Sequence, residues 1–304
     1  MTSYRPRVRN TGGRKILKLF GAVAIVASLA IAAAILYLLS GEPARKPARP
    51  PDSAVRSGDG QTAMDVRAHG AAGEKKKATA AGGMKVAVLI DDIGMDRGVV
   101  RELLKIHIPI TFAILPFSPH AFSTASILHE NGREVLLHLP MEPRHYPEEN
   151  PGKGALLLRM NDDEIQRQLT ADLDAVPHIS GVNNHMGSGF MEHEDKVGVV
   201  MQELRRRNLF FVDSRTTPNS RGPVAARRYS VRFASRNVFL DSARDHADAF
   251  RTLLRLYDEQ ENTHRKPALV IGHPYRETVQ ALKEVLPVLQ KEGMEFVPVS
   301  NLVR

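Results

Sequence analysis

Two adjacent carboxylates and three imidazoles occupy equivalent places along the 304-residue chain, each closing a short apolar run. Asp91 and Asp92 follow Val86–Ile90, His138 lies within LLHLPMEP, His185 within GVNNHMGS and His273 within VIGHPYR. Oxygen and imidazole donors around an open coordination position are what a catalytic divalent metal requires. Singly, these residues say little. Asp91 and Asp92 could cap a helix beginning near Arg97, and a histidine at a strand end is as readily structural as functional. Taken jointly, carboxylate and three histidines at successive run ends point to one metal site. Glu142, Asn183, Asn184, Asp213, Arg215 and Asp241 fall at the same kind of position and extend the candidate set. His69, His129 and His264 lie outside the pattern and read as surface residues, and His107, His120, His145, His178, His193 and His246 acquire no role.

The elements that must position these groups alternate. Strands are expected over Val86–Ile90, Ile110–Leu115, Glu134–Leu139, Ile179–Asn183, Leu209–Val212, Asn237–Leu240, Ala268–Ile271 and Glu295–Val299. Several are continuous and β-branched, as strands buried on both faces should be. Between them run amphipathic helices. One starts at Asn161, which pairs with Glu164 as a capping box and sets Ile165, Leu169, Leu173 and Val176 on one face. Another sets Val279, Leu282, Leu286 and Leu289 at helical spacing. Such alternation implies a parallel sheet, barrel-like or open and doubly wound. Seven or eight strands in about 220 residues suit a (β/α) barrel better. In either architecture the strand ends share one rim, which is where such folds build their sites.

Rival chemistries lack their residues. There is no cysteine, which excludes a thiol nucleophile, a disulfide framework and a cysteine-based zinc site. No Gly-x-x-x-x-Gly-Lys loop and no Gly-x-Ser-x-Gly elbow occurs. The formal charge is +8, but Arg5, Arg7, Arg9, Arg14, Lys15 and Lys18 crowd the N-terminus and Lys75, Lys76 and Lys77 stand together outside the expected domain. Aromatic residues are 6% of the chain and do not interleave with a basic patch, so nucleic acid is not an expected partner.

Residues 16–39 form an apolar run broken only by Lys18, about the ~20 residues that cross a bilayer. A cleaved signal peptide ordinarily has a shorter apolar core, of about 7–15 residues. The expectation is a basic cytoplasmic tail over 1–15, one transmembrane anchor over 16–39 and a flexible Pro-, Gly- and Ala-rich linker over 40–84. The domain proper, 85–304, is then exported to the periplasmic or extracytoplasmic side.

The blocks IDDIG (90–94), LHLPMEP (137–143), GVNNHMGS (181–188), FVDSRT (211–216), FLD (239–241) and IGHP (271–274) resemble the divergent polysaccharide deacetylase family, a branch of the NodB-like carbohydrate esterases. The resemblance spans 85–304. It implies a deformed (β/α) barrel of seven or eight strands, a divalent metal (usually zinc) and removal of acyl groups from amino sugars. By position, Asp91 corresponds to the catalytic base, Asp92 to a metal ligand, His138 to the first histidine of the second motif and His273 to the general acid. Two places depart from the family pattern. Glu142 stands where a second histidine is usual, as a further metal or substrate contact. No third-motif arginine stands to orient the base, and His185 is the expected substitute ligand. Asn183 and Asn184 are expected to stabilise an oxyanion or to support the ligands, and Asp213, Arg215 and Asp241 to shape the site, with Asp241 paired to His273. For Arg215 a salt bridge to Asp213 or Asp241 is an equal reading. The implied partner is an envelope polysaccharide such as peptidoglycan. The alternatives are an O-acyl esterase sharing the same site, and a non-catalytic envelope protein that binds glycan or serves as a scaffold.

Overall fold

The computed structural model describes residues 84–262 and 266–304. The expected tail and anchor, and all of the linker but its last residue, lie outside the described residues. Among these, no helix is long and apolar enough to cross a membrane.

Nine strands form one parallel sheet: β1 (Met84–Ile93), β2 (Thr111–Ile114), β3 (Val135–Met141), β4 (Ile179–Met186), β5 (Phe210–Asp213), β6 (Phe233–Ser235), β7 (Val238–Phe239), β8 (Ala268–Gly272) and β9 (Met294–Phe296). Their order is β6-β5-β4-β3-β2-β1-β8-β7, and β9 joins β1. Val86 pairs with Ala268 of β8 and with Phe296 of β9, so β9 lies on the other edge of β1 from β8. Helices α1 (Arg97–Leu104), α2 (Ala121–Glu130), α3 (Asp162–Ala175), α4 (Glu194–Arg206), α5 (Gly222–Tyr229), α6 (His246–Asn262) and α7 (Arg276–Lys291) complete the alternation.

The connectivity forces the sheet to curl. β6 and β7 are its two ends, yet only Arg236 and Asn237 separate them in the chain. Three Cα steps cover at most about 11 Å, whereas eight strands laid flat would spread over about 34 Å. The sheet therefore rolls until its ends meet, although no ladder joins them among the described residues. It is a curled, incompletely closed (β/α) barrel, the deformed form expected.

All eight expected strands are present. β6, which was not expected, is three half-buried residues, Phe-Ala-Ser, too short and too mixed to carry a period. The box at the start of α3 forms as anticipated: Asn161 Oδ1 accepts the Glu164 N–H at 2.9 Å and Glu164 Oε2 accepts the Asn161 N–H at 2.8 Å. Ile165, Leu169, Leu173 and Val176 are buried, as are Val279, Leu282, Leu286 and Leu289 of α7.

The sheet's two faces are separate cores. Val86, Val88 and Ile90 pack outward with the helices, while Ala87 and Leu89 point into the barrel with Leu136, Phe210, Val212 and Ile271. Phe210 fills this interior at the expense of its neighbour: a Cβ on Gly181 would lie 2.4 Å from the Phe210 ring. Burying each of these aliphatic side chains contributes about 1.5–3 kcal/mol, so the floor beneath the rim is rigid.

One buried acid lies away from that rim. Asp172 on α3 is fully buried, accepts a bond from Gln168 Nε2 at 2.9 Å through Oδ1 and has no partner for Oδ2. Burial pushes its carboxyl up to about 8, against the smaller opposing effect of Gln168. A folded-state pKa above the unfolded value means that stability drains away as pH climbs from about 4 to about 8, because the unfolded chain ionises first. Asp172→Asn should therefore leave the thermal midpoint nearly unchanged at pH 4 and raise it by about 5–10 °C at pH 8. Equal midpoints for the two proteins at both pH values would show that Asp172 finds a partner in solution.

Candidate metal centre

Strand alternation selects which polar residues reach the mouth of the barrel. Along β1 the inward row is Ala87, Leu89, then Asp91; on β3 it is Leu136, then His138; on β8 it is Leu269, Ile271, then His273. Register aligns these rows, since Ile90 opposes Gly272 and His138 opposes Asn183. Each inward row thus passes from hydrocarbon to a polar group toward the C-terminal end of its strand. Asp92 has the wrong parity for the mouth. Its φ of +55°, in the left-handed region, breaks the alternation and brings its carboxylate back among the histidines.

Three donor atoms meet there. His138 Nε2 lies 3.2 Å from Asp92 Oδ1, His185 Nδ1 lies 3.0 Å from the same oxygen, and the two ring nitrogens are 3.1 Å apart. Donors bound about 2.0–2.1 Å from one ion, at angles between octahedral and tetrahedral, must lie about 2.9–3.4 Å from each other. All three separations fall in that range. Asp92 Oδ1 is also a buried oxygen without a hydrogen-bond partner, despite the two nitrogens beside it. The residues fit a divalent cation.

Protonation follows from the hydrogen bonds. Asn183 Nδ2 donates to Asp91 Oδ1 at 2.8 Å and to Ser214 Oγ at 3.2 Å, so its Oδ1 is the acceptor facing His138 Nδ1 at 2.9 Å. His138 consequently carries its proton on Nδ1 and aims the Nε2 lone pair at Asp92 and His185. Burial lowers the proton affinity of His138, but Asp91 and Asp92 outweigh it and raise the pKa. Burial likewise works to raise the Asp92 pKa, but the imidazoles of His138 and His185 prevail and hold it far below the usual carboxylate range. The cavity attracts positive charge, whether a proton or a metal.

Asp91 is 3% exposed, and its Oδ2 is 3.8 Å from His138 Nε2. Burial dominates its pKa and raises it, against His138, His273 and the Asn183 bond. His273 Nε2 stands 3.9 Å from Asp92 Oδ2. Its Nδ1 lies 3.0 Å from Asp241 Oδ1, and Asp241 Oδ2 accepts the His273 backbone N–H at 2.5 Å and the Thr278 hydroxyl at 2.9 Å. Burial opposes protonation of His273, and Asp241 overcomes it, so the pKa is raised.

Several expectations are corrected. Glu142 is not one of the converging donors: its Oε2 accepts the Leu158 N–H at 2.8 Å, and its carbonyl receives Gly189 and Phe190. It staples the β3 and β4 loops together. Asn183 and Asn184 are not free for an oxyanion. Asn183 spends its amide on Asp91, Ser214 and His138, and Asn184 spends its own on the Met186 carbonyl, Thr216 and the Ser214 N–H. Theirs is the supporting role. Asp213 holds the Arg215 N–H at 2.7 Å and Ser220 Oγ at 2.7 Å, while the Arg215 side chain is exposed and forms no ion pair with Asp213 or Asp241 among the described residues. The Asp241–His273 pair stands as expected. Thr278, Tyr275 and Arg236 contribute without having been foreseen as site residues, whereas Ser214 stood beside Asp213 at the end of β5. Of the three, Thr278 left a trace, as a polar residue on the otherwise apolar face of α7.

The rim of a curled parallel β/α barrel thus presents one Asp-His-His triangle that could hold a metal ion, with a second aspartate and an Asp-supported histidine beside it. Residues 88–303 match the divergent polysaccharide deacetylase family, and the chain belongs to it. It is 36% identical over 202 residues to the uncharacterized protein YibQ of Escherichia coli K12, covering 66% of this chain and 62% of that one. An uncharacterized protein of Haemophilus influenzae is 30% identical over 222 residues, covering 72% of this chain and 77% of that one. The crystal structure of an uncharacterized Agrobacterium tumefaciens protein superimposes with a TM-score of 0.69 at 23% identity, over 74% of this chain and 91% of that one. This last likeness concerns the fold.

Loss of the amide that orients His138 should weaken metal binding. Asn183→Ala is expected to lower affinity about 10–100-fold in chelator competition, whereas Glu142→Gln should retain the full metal content. Metal loss on changing Glu142 would return that carboxylate to the ligand set.

Proposed function

We propose that the chain is a metal-dependent hydrolase that removes acyl groups from amino sugars of an envelope polysaccharide. The supporting observation is the triangle of Asp92 Oδ1, His138 Nε2 and His185 Nδ1, with Asp91 and His273 beside it. These three residues would hold a divalent cation, for which zinc suits the donor set; when bound, it lowers the pKa of a water and polarises an acyl carbonyl.

The chain's own residues supply the proton traffic. Asp91 is placed to take a proton from the attacking water: Asn183 fixes its orientation, and burial makes it a better base than a surface carboxylate. His273 is placed to give a proton to the leaving amine from Nε2, because Asp241 holds Nδ1 and stabilises the imidazolium. Asn183 also answers the missing third-motif arginine, since it performs the orienting task assigned to that residue. This favours catalysis over a purely binding or scaffolding role. The apolar run 16–39 supports an anchored domain acting outside the cytoplasmic membrane.

The test is acetate release from N-acetylated oligosaccharides and peptidoglycan by the metal-loaded full-length protein. Asp91→Asn should retain metal and lose about 10²–10⁴-fold in rate. His138→Ala should lose both metal and activity, and zinc should restore the chelator-treated wild type but not this variant. A protein that binds metal yet releases nothing from N- or O-acylated glycans is a binding module, and the hydrolase reading then falls.

A further inference from the structure

The mouth of the barrel is electrically lopsided. On the side built by the ends of β5, β7 and β8 stand Arg215, Arg236 and Arg244. Arg236 is spent internally: its Nε donates to the Ser214 carbonyl at 2.7 Å and its Nη2 to the Arg215 carbonyl at 3.2 Å, so it fixes the loop that carries Arg215. Arg215 and Arg244 are different. Both are exposed, and neither has a carboxylate within ion-pair distance among the described residues. The aspartates nearest them in the chain are otherwise engaged. Asp213 holds Arg215 N–H and Ser220, Asp241 holds His273 and Thr278, and Asp245 accepts the Ala247 N–H at the start of α6.

Both arginines also sit at φ values that glycine would take more easily, +53° for Arg215 and +49° for Arg244. A long side chain kept at such a position is an indication of function when the turn alone would favour glycine. Arg244 is further tied to the chemistry. Its guanidinium lies 4.7 Å from the centre of the Tyr275 ring, and that ring stacks on His273 with centroids 5.4 Å apart. The stack runs from the surface to the histidine expected to protonate the leaving group.

Two arginines free of acidic partners among the described residues, one of them linked through the Tyr275 ring to His273, suit an oxyanion by charge and by the planar fork of the guanidinium. We propose that the β5–β8 side of the mouth is a subsite for a carboxylate or phosphate carried by the glycan, which makes an acidic rather than a neutral N-acylated polysaccharide the preferred substrate. The inference rests on the hydrolase reading above.

Binding, rather than turnover, tests it. Full-length metal-loaded protein is titrated with labelled hyaluronan tetrasaccharide, which bears carboxylates, with a phosphorylated chito-oligosaccharide, and with neutral chitotetraose. At least one charged probe should bind about tenfold or more tighter than the neutral one, with the advantage shrinking as salt is added. Which charged probe gains identifies the oxyanion. Arg244→Ala and Arg215→Ala should each bring the charged-to-neutral ratio toward one, and Arg244→Lys should keep part of it, with folding of each variant verified by circular dichroism. Equal binding of all three probes, or a preference that survives both replacements, overturns the subsite. Acyl release without anion preference removes this inference alone; anion preference without acyl release from any glycan removes the hydrolase reading and leaves the subsite standing.

Discussion

Three lone pairs aimed at one point repel one another unless a proton or a cation sits among them. The Asp92, His138 and His185 donors lie 3.0–3.2 Å apart, close enough for that repulsion to be severe in a partly buried cavity. Something must hold them there in the face of it, and the parallel ladder supplies the holding. His138 and His185 are two pairs apart on strands locked from Leu136–Gly181 to Met141–Met186. Hydrocarbon packed beneath the rim keeps those strands from yielding. The stability of the fold is thereby spent on a local electrostatic demand that a cation meets.

Asn183 links the two halves of the site. Its carbonyl oxygen sets the tautomer of His138 and its amide N–H sets the direction of Asp91, while its other N–H contact anchors it to Ser214 on the next strand. A single planar group thus couples His138 to Asp91, and neither can turn without disturbing the other. His273 obtains the same rigidity differently, from an aspartate that binds its ring and its backbone together. Asn183 and Asp241 are both buried, where hydrogen bonds to charged groups are strongest and leaving one unmade is most costly.

Left-handed φ values occur at Asp92 and Met186, near the ends of β1 and β4, and at Phe117, Arg215 and Arg244 in loops that follow strands. His178, Asn208 and Ser230 adopt them at the opposite end of the sheet. For Asp92 the consequence is explicit, because an ordinary φ would have pointed its carboxylate out toward the helices.

The sequence by itself determined the eight principal strands, the cap of α3 and the ligand candidates Asp92, His138 and His185. Apolar runs with a period of two or of 3.6 record burial directly, and capping is a contact within one turn of chain. The candidate residues were legible because parallel strands must deliver their ends to one rim, whatever the curvature of the sheet. What only the tertiary structure decided was which polar residue does what. Glu142 and Asn184 stood at equally suggestive positions and became loop ties. Asn183 became the clamp between Asp91 and His138. Arg236 and Tyr275 joined the site through contacts made far along the chain. β6 escaped notice because three half-buried residues carry no period, and its place depends on the sheet rolling its two ends together. Side-chain direction at a strand end turns on one φ angle and on partners up to 92 residues away, as between Asp91 and Asn183, and no local pattern of residues encodes either.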